Sequence, residues 1–565
     1  MPTLHFKGKT FVQNHHLAVK YHQLVPKKGF SLTDKVSLHD NLIIQGDNLK
    51  ALKALLPTYA GKVKCIYIDP PYNTGNEGWK YNDNVNSPML QEWFKSSLPV
   101  DKEDLTRHDK WLCMMLPRLK ILRELLSEEG LIFISCDDNE LYSLRSVLEE
   151  IFTEINWVGT IVWRNVTDNN PTNIAIEHEY IICYAKNKAM LEPIWKSKVS
   201  DAKDAIIEIG ISLVEKFKDQ QKLQEAYTSW FKENKSFLGQ LDRYKYIDKD
   251  GVYTGSQSVH NPGREGYRYD IIHPITKLPT KQPLMGYRFP ETTMKGLLKN
   301  KKILFGEDES KIIELKVYAK DYEDKLASVI QLDGRLGSYD LKELFPENKK
   351  SFDNPKPVQL LKQIFSYLIS KDDIILDSFA GSGTTAHAVL ELNKEDGGNR
   401  KFILVEQEDY ANTITAERVR RVINGVKTAK NENLKKGLGG SFSYFELGPT
   451  IEMESILRGK NLPSYEEFAR YIFYTATGEE FNEKKINEKT GFIGESKNHE
   501  VYMFYKPDID WLKQNALTLD GVRGMPKYKG KQRLVFAPAK YVDDDTCREN
   551  RIDFCQLPYE IYRIH

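Results

Sequence analysis

The chain has 565 residues, which is too many for one ordinary domain of about 100 to 200 residues. Its 40% hydrophobic, 28% charged and 11% aromatic residues are typical of a folded protein and exclude a disordered one. The 81 basic and 80 acidic side chains leave a net charge of +1, which excludes nucleic-acid binding through overall charge. Any nucleic-acid contact must come from a local basic surface.

Two further classes are disfavoured by the sequence. No apolar run reaches the roughly 18 residues of a membrane helix, and the first residues lack the apolar core of a signal peptide. We therefore expect a cytoplasmic protein without a membrane partner. The six cysteines form no Cys-x-x-Cys pair, and no histidine lies at metal-ligand spacing, so we predict neither a metal site nor a disulfide framework.

Residues 1–40 are interpreted as an N-terminal extension, and residues 41–186 as the first half of an α/β domain. Apolar, strand-like runs alternate there with amphipathic helical sequence, a pattern that predicts a mostly parallel sheet covered on both faces. The predicted strands are Leu42–Ile44, Val63–Ile68, Leu131–Ser135, Trp157–Trp163 and Tyr180–Ala185.

The rest of the chain divides into three predicted regions. Residues 187–345 are rich in lysine and glutamate and then in glycine, proline and tyrosine, which indicates an inserted module. The α/β pattern resumes over residues 346–430, with predicted strands Ile374–Leu376 and Phe402–Val405. Residues 431–565 are interpreted as a linker followed by a small C-terminal α/β-like domain.

A glycine-rich loop between the predicted strand at Ile374–Leu376 and a helix satisfies the pattern G-x-G-x-x-A. Glycines at this place let the backbone approach a ligand closely, and Glu406, at the end of the next strand, is placed to bind ribose hydroxyls. The loop therefore predicts a nucleoside cofactor, whereas a ligand-free strand-to-helix turn is the plainer alternative. Its residues are Asp377, Ser378, Phe379, Ala380, Gly381, Ser382, Gly383, Thr384, Thr385 and Ala386.

A second motif, Asp69-Pro70-Pro71-Tyr72, follows the predicted strand Val63–Ile68. The two prolines stiffen the backbone and remove two N–H donors, which leaves carbonyl and carboxylate acceptors beside an aromatic ring. An amino group on a flat ring is the complementary ligand, since Asp69 and the Pro70 carbonyl accept its protons while Tyr72 stacks on the ring. A plain Pro-Pro turn does not explain why an acceptor and an aromatic residue flank the prolines.

Together the two motifs resemble the catalytic and S-adenosylmethionine motifs of amino-methylating DNA methyltransferases. The cofactor loop begins 308 positions after the catalytic motif (377 minus 69), with an insert between them. That order is similar to the β class of adenine-N6 enzymes. The resemblance implies a Rossmann-like, doubly wound, mostly parallel sheet, circularly permuted, with an inserted target-recognition domain. Such permutation is tolerated where the termini of a compact domain lie close together.

Further segments resemble the modification subunit of type III restriction-modification systems, including the chain end Gln556–Tyr562. Others are 107–111 (Arg-His-Asp-Lys-Trp), 133–140 (Phe-Ile-Ser-Cys-Asp-Asp-Asn-Glu), 354–357 (Asn-Pro-Lys-Pro) and 46–48 (Gly-Asp-Asn). The resemblance implies that Asp47 contacts the cofactor adenine and that Lys356 lies in the other cofactor-side motif. It also implies a homodimer on double-stranded DNA that recruits a restriction subunit, a separate ATPase-nuclease.

The chemistry agrees with amino methylation. Attack on a cytosine carbon needs a cysteine nucleophile, which is typically presented after proline, and none of the six cysteines follows one. An aligned amine needs no covalent step, but its base must leave the duplex to reach such a pocket. Cytosine-N4 methylation and a catalytically idle DNA-recognition scaffold remain the alternatives. Asp69 before Pro-Pro-Tyr favours adenine by family analogy.

DNA contact is predicted within the insert. Between residues 255 and 302, nine basic and three acidic residues leave a local charge of +6 (nine minus three), and four aromatic residues interleave with them. That combination is expected of a surface that follows a nucleic-acid backbone, although a solvated loop face is the plainer alternative. The proposed contacts are Arg264, Arg268, Lys277, Lys281 and Arg288, and the aromatic residues are Tyr267, Tyr269, Tyr287 and Phe289.

Residues 441–565 contain no recognisable catalytic constellation. We assign them to subunit contacts, while a stabilising cap on the methyltransferase core is an equal alternative.

Overall fold

The computed structural model describes residues 3–74, 107–165, 173–197, 201–235, 238–261, 263, 265–322, 324–348, 352–451, 462–479, 481–527 and 530–557. The chain divides into two compact units. The larger comprises Met1–Pro193 and Ala327–His565, and the smaller comprises Ile194–Leu326. Within the described ranges, no helix has the length and apolarity needed to cross a membrane.

Strands and helices alternate over most of the chain. The strands are β1 (His22–Pro26), β2 (Leu42–Gln45), β3 (Val63–Ile68), β4 (Leu126–Cys136), β5 (Trp157–Arg164), β6 (His178–Ala185), β7 (Lys196–Ser197), β8 (Tyr246–Asp248), β9 (Gly251–Ser258), β10 (Ile303–Leu304), β11 (Glu314–Tyr318), β12 (Asp324–Lys325), β13 (Val329–Gln331), β14 (Ile374–Asp377), β15 (Lys401–Glu406), β16 (Ser443–Thr450), β17 (Phe492–Glu495), β18 (His499–Met503), β19 (Gln532–Ala537) and β20 (Ile552–Gln556). The helices are α1 (Lys9–Val12), α2 (His15–Ala18), α3 (Asn48–Tyr59), α4 (Arg107–Leu125), α5 (Leu141–Phe152), α6 (Asp201–Lys216), α7 (Gln220–Asn234), α8 (Glu291–Lys299), α9 (Arg335–Leu344), α10 (Val358–Ser366), α11 (Thr384–Asp396), α12 (Glu417–Asn424), α13 (Glu432–Lys436), α14 (Tyr465–Thr477), α15 (Ile509–Gln514), α16 (Leu519–Arg523) and α17 (Asp544–Glu549).

A ten-stranded sheet forms the larger unit, in the order β1-β16-β2-β15-β14-β3-β4-β6-β5-β13. The six strands from β16 to β4 are parallel to one another, whereas β1 runs antiparallel to β16 and β6 runs antiparallel to both β4 and β5. Helices α3, α4 and α5 pack with one face of the sheet into the main hydrophobic core. On the other face Ile375, Phe402 and Leu404 are also buried. The predicted doubly wound, mostly parallel α/β fold is confirmed.

The larger unit extends beyond the boundaries predicted for its two halves. Strand β13 pairs with β5, so the inserted unit ends at Leu326 and not at residue 345. Strand β1, which falls within the predicted extension 1–40, pairs with β16, and β16 pairs with β2. Residues 443–450 therefore belong to the large sheet and not to the C-terminal domain. These strands are short or mixed in polarity, so their membership depends on pairing and not on a local pattern.

The smaller unit has an antiparallel four-stranded sheet in the order β10-β11-β9-β8. Helices α6 and α7 supply much of one of its cores, together with Tyr244, Ile247 and Val252. A second small core surrounds Tyr287 and Met294.

The C-terminal region after β16 carries its own sheet, β17-β18-β19-β20, which agrees with the predicted α/β-like domain. Cores lie on both of its faces. Its helix α14 packs back on the N-terminal segment, where the rings of Tyr471 and Tyr21 are 4.8 Å apart. This contact is the one expected of a cap. Residues 558–562 of the family-like chain end lie outside the described residues.

Candidate active site

The two predicted motifs lie side by side at one edge of the large sheet. Strands β14 and β3 are parallel neighbours, with Leu376 opposite Ile66. Because the carboxyl ends of parallel strands meet at the same edge, Asp377 at the end of β14 and Asp69 just after β3 lie together at that edge. Strands β15 and β2 follow in the same direction and place Glu406 and Asp47 at that edge.

Two neighbouring segments hold the Asp-Pro-Pro-Tyr turn. The indole nitrogen of the fully buried Trp111 donates to the Pro71 carbonyl at 2.7 Å. Asn73 adopts a left-handed conformation with φ of 61° and donates from Nδ2 to Glu140 Oε1 at 2.5 Å. His108 Nδ1 lies 2.7 Å from the same oxygen. The sequence analysis identified the segments that contain Trp111, His108 and Glu140 by resemblance alone. In the structure, these side chains form the hydrogen bonds and the ion pair around the Asp-Pro-Pro-Tyr turn.

A compact charged group lies at the turn. The Lys356 ammonium is 3.1 Å from Asp69 Oδ2 and 3.0 Å from Glu179 Oε2, and it donates to the Tyr72 hydroxyl at 2.8 Å. Tyr72 in turn donates to Glu179 Oε2 at 2.8 Å. The other Glu179 oxygen accepts from Asn165 Nδ2 at 2.6 Å. One cation therefore lies between two carboxylates.

Burial and charge shift the pKa values of this group. Burial raises the pKa of Asp69, the Lys356 charge opposes that shift, and the Glu179 charge adds to it. For Lys356, burial acts against the charged form, but Asp69 and Glu179 outweigh it and raise its pKa. Burial, followed by the charges of Asp69 and Glu179, raises the pKa of Tyr72 well above its ordinary value. Lys356 and Tyr72 therefore stay protonated at neutral pH.

One oxygen of Asp69 is left for a ligand. Among the residues that the structure describes, no donor reaches the buried Oδ1 of Asp69. A buried carboxylate oxygen without a partner is unfavourable by about 1 to 3 kcal/mol or more, and it is explained most simply by a donor that arrives with a ligand. The predicted role of Asp69 as an acceptor fits this geometry.

Lys356 was predicted on the cofactor side, and its backbone lies at the junction of the two motifs. Helix α9 approaches so closely that a Cβ at Gly337 would lie 1.9 Å from the Pro355 carbonyl oxygen. Thr384, at the start of α11, donates to the Lys356 carbonyl at 3.2 Å. Asp340 Oδ2 accepts from the Val358 amide at 3.1 Å. These contacts fix the backbone, and the ammonium of Lys356 reaches the catalytic turn.

The glycine loop is folded around its own carboxylate. Asp377 accepts from the Phe379 amide at 3.0 Å and from the Thr385 hydroxyl at 2.6 Å. Burial raises the pKa of Asp377 to about 7, and the hydrogen bond from Thr385 opposes that shift. The Ala380 amide donates to the Val405 carbonyl at 3.1 Å. Asp377 thus shapes the loop with both of its oxygens.

Glu406 and Arg418 hold the two glycines. The Gly381 amide donates to Glu406 Oε2 at 2.8 Å, and burial raises the pKa of Glu406. The fully buried Arg418 donates to the Ser382 hydroxyl at 2.9 Å and to the Thr384 hydroxyl at 2.8 Å. Sequence analysis missed Arg418, which lies within an ordinary charged helix.

Gly383 has a φ of 81°, and a Cβ there would lie 3.1 Å from the Thr415 carbonyl oxygen. A larger side chain would therefore disturb the loop itself. If Gly383 were needed only because the backbone approaches a ligand closely, a side chain there would act only by blocking the ligand.

The remaining cofactor-side residues lie beside the loop. Asp47 caps helix α3 by accepting from the Lys50 amide at 3.1 Å, and Arg118 lies 3.7 Å from it. Asn48 donates to the Ser378 carbonyl at 3.2 Å, which ties the end of β2 to the loop. The buried Ser378 hydroxyl has no hydrogen-bond partner within the described part of the chain.

Sequence analysis also missed Glu179. Its only signal was a carboxylate at the start of an apolar strand, and its contacts with Tyr72 and Lys356 span 107 and 177 positions of the chain. Within the described ranges, no group of three or more histidine, cysteine, aspartate or glutamate side chains is arranged to hold a metal ion.

The predicted DNA contacts lie in the smaller unit. Arg268, Lys277, Lys281 and Arg288 are exposed, whereas Arg264 lies outside the described residues. The prediction for the interleaved aromatic residues is wrong for Tyr287, which is fully buried. Tyr269 stacks on it with ring centres 4.8 Å apart. These rings form the core of a small module, while Tyr267 is 52% exposed.

Comparison with known proteins identifies related sequences. The profile of a DNA methylase family, the N6 and N4 methyltransferases, matches residues 63–417. The chain is 51% identical over 424 residues to the Type III restriction-modification enzyme EcoP15I Mod subunit of Escherichia coli, covering 72% of this chain and 65% of that subunit. It is 32% identical over 577 residues to the StyLTI Mod subunit of Salmonella typhimurium, covering 93% of this chain and 79% of that subunit.

Among solved structures, the PvuII DNA methyltransferase (cytosine-N4-specific) is similar over 71% of this chain and 94% of that chain. Its sequence identity is 11% and its TM-score is 0.33.

Proposed function

Because the chain belongs to the DNA methylase family, and within it to the modification subunits of type III restriction-modification enzymes, we propose that it methylates adenine in DNA. The methyl group of S-adenosylmethionine moves to the N6 amino group of an adenine that is flipped out of double-stranded DNA. The observation that carries this proposal is the buried Asp69 Oδ1, which no described donor reaches.

Asp69 supplies the acceptor that an exocyclic amine needs. S-adenosylmethionine, when bound, supplies a methyl group on a sulfonium. The nitrogen lone pair forms the new C–N bond while the C–S bond breaks and its electrons stay on sulfur. The nitrogen then loses one proton to Asp69 Oδ1. Alignment of amine and methyl and stabilisation of the developing positive charge supply the rate, since no covalent enzyme intermediate is needed.

The cofactor fits the glycine loop and its neighbours. Asp47, Glu406, Lys356 and the loop residues Asp377, Phe379, Ala380, Gly381, Ser382, Gly383 and Thr384 would hold it. The fit rests on the tight, backbone-lined turn after β14 and on the buried Ser378 hydroxyl, which no described group satisfies. A carboxylate at the end of the following strand, such as Glu406, suits the ribose hydroxyls of a nucleoside.

A labelled-methyl assay tests the activity directly. The chain is incubated with tritiated S-adenosylmethionine and DNA, and we expect label in the DNA. Single-molecule sequencing of DNA from cells that express the chain is expected to show N6-methyladenine at one short sequence. Detection of N4-methylcytosine instead would show that the chain is a cytosine-N4 methyltransferase. The absence of any methylation would favour a DNA-recognition scaffold without catalytic activity.

DNA is proposed to contact the exposed basic residues of the smaller unit. Reversing the charge of Lys277, Lys281 and Arg288 together is expected to weaken binding to all sequences. It should also reduce the slope of log affinity against log salt by about three, since each phosphate contact contributes about 0.9. The matched control reverses Lys222, Lys232 and Lys235, which are equally exposed in the same unit. Equal salt slopes for the two triple variants would contradict DNA contact by the segment that contains Lys277, Lys281 and Arg288.

We also propose the partners of a type III modification subunit, namely a second copy of the chain and a separate ATPase-nuclease restriction subunit. Both are assigned to the region after β16, and the complex is placed in the cytoplasm with the cellular DNA. The test is a chain that ends after Ile451, because β16 must remain in the large sheet. A truncated chain that is folded, dimeric and still supports cleavage with its restriction subunit would refute the docking role, whereas general unfolding would favour the cap.

A further inference from the structure

Two carboxylates, and not one, lie beside the ammonium group of Lys356. Its ammonium lies 3.1 Å from Asp69 Oδ2 and 3.0 Å from Glu179 Oε2, and its side chain is only 12% exposed. A pair made of Asp69 and Lys356 alone would be neutral. With Glu179, the group carries a net charge of −1 (two carboxylates and one ammonium) at the turn where the amine is methylated.

Glu179 has no oxygen left over for a substrate. Its Oε1 accepts from Asn165, and its Oε2 accepts from both Tyr72 and Lys356. It therefore acts through its neighbours. The three N–H bonds of the Lys356 ammonium are matched by Asp69, Glu179 and the Tyr72 hydroxyl. The Tyr72 hydroxyl is held by Lys356 and Glu179.

We propose that Glu179 is a positioning residue for methyl transfer: it accepts from Lys356 and anchors Tyr72, so that Asp69 Oδ1 stays directed at the target amine and the group keeps a net negative charge beside that amine. This inference rests on the proposed function. As the C–N bond forms and the C–S bond breaks, the amine nitrogen becomes positively charged, and it then gives one proton to Asp69 Oδ1. A net charge of −1 beside that nitrogen stabilises it more than a neutral ion pair would, because the site is largely shielded from water.

The arrangement has a signature in the pH dependence. The charged and titratable groups that face Asp69 are Lys356, Glu179, Tyr72, Tyr67 and Asp377. Asp69 must be ionised to act, so the transfer rate rises as pH passes through its pKa. Glu179 raises that pKa, and a neutral residue at 179 should therefore move the rise to lower pH.

Glu179→Gln in the full-length chain is the test, because it keeps the shape and removes the charge. The single-turnover methylation rate is measured at saturating S-adenosylmethionine and DNA across the pH range. We expect the plateau rate to fall about 10- to 100-fold and the acidic limb to move to lower pH. The dissociation constants for cofactor and DNA should stay within about twofold, since Glu179 contacts neither under this proposal.

Two further variants complete the design. Glu177→Gln is the matched control, because Glu177 forms an exposed ion pair with Arg164 at 2.8 Å on the same stretch of chain. Its rate and pH profile should equal those of the wild type. Glu179→Asp keeps the charge on a shorter side chain, so it should keep the acidic limb in place and recover part of the plateau rate.

An unchanged rate and acidic limb in Glu179→Gln would overturn the inference and leave the proposed function intact. A lower rate with an unmoved acidic limb would also overturn it, since that is the result of a purely structural contact. Failure of the wild-type chain to methylate DNA would instead refute the proposed function. If Glu179→Gln does not fold, Glu179→Asp decides, because a displaced acidic limb in that charge-conserving variant would contradict the inference.

Discussion

Asp69 and Asp377 are the same residue type at the carboxyl ends of two neighbouring parallel strands, yet their surroundings differ. Both Asp377 oxygens accept hydrogen bonds from the loop that Asp377 itself begins. One oxygen of Asp69 forms an ion pair with Lys356, while the other oxygen has no hydrogen-bond donor among the described residues. The first carboxylate is used to build a loop, and the second is held ready for a ligand.

The difference shows that position at a strand end does not assign a role. The number of donors that the fold supplies to each carboxylate separates a structural aspartate from one that can contact a substrate. Asp377 stays a predicted cofactor-side residue, but the structure favours an indirect effect through the shape of the loop.

The largest expected effect is that of Asp69→Ala. We expect the methyl-transfer rate to fall by about 1,000-fold, because the amine loses its acceptor and the charge that stabilises the transition state. The cofactor dissociation constant, measured by calorimetry, should change by less than about twofold, since Asp69 faces the amine. Loss of cofactor binding together with activity would break the comparison, because it would place Asp69 on the cofactor side.

Asp377→Ala should show the opposite pattern. It leaves the partly buried Phe379 amide and the buried Thr385 hydroxyl without their acceptor, so the free energy of unfolding should fall, by about 1 to 3 kcal/mol for the hydroxyl and by less for the amide. Cofactor affinity should fall with it, because the loop loses its shape. Thermal unfolding and calorimetry measure the two effects. A variant with normal stability and normal affinity would mean that Asp377 does not build the loop.

Trp111→Phe sharpens the catalytic side of the comparison by removing one donor from the turn. The lost hydrogen bond to the Pro71 carbonyl is worth about 0.5 to 1.5 kcal/mol, so the transfer rate should fall roughly 3- to 10-fold with cofactor affinity unchanged. Trp511→Phe, in α15 of the C-terminal domain, is the control and should transfer methyl groups at the wild-type rate. Equal rates for both variants would show that Trp111 does not position the turn.

A further expected effect concerns the pH dependence of stability. Burial raises the pKa of Asp377 from 3.8 to about 7 in the folded protein. Between those pH values the folded state holds a proton that the unfolded state has lost, so this group's contribution to stability falls as pH rises. Asp377→Asn cannot titrate and should lack that fall. Urea unfolding of both proteins from about pH 4 to pH 7 measures the difference. Parallel curves would contradict burial of an ionisable group at 377.

Much of the site was predictable from the sequence because its chemistry is local. The acceptor, the prolines and the aromatic ring are contiguous at 69–72, and the glycine loop lies directly after a strand. Glu179 could not be predicted in the same way. It contacts Tyr72 from 107 positions away and Lys356 from 177 positions away, and no local pattern distinguishes it from a surface carboxylate.

Sequence by itself determined the α/β class, the two motifs and the kind of reaction they suit, since periodicity and turn chemistry depend on neighbouring residues along the chain. Only the tertiary structure decided that β14 lies beside β3, that β1, β13 and β16 belong to the large sheet, and that Tyr287 is buried rather than exposed to DNA. These strand pairings join residues that are more than 150 positions apart, and the burial of Tyr287 depends on packing within its module that the pattern of charges and aromatic residues does not show. The folded chain alone brings those residues together.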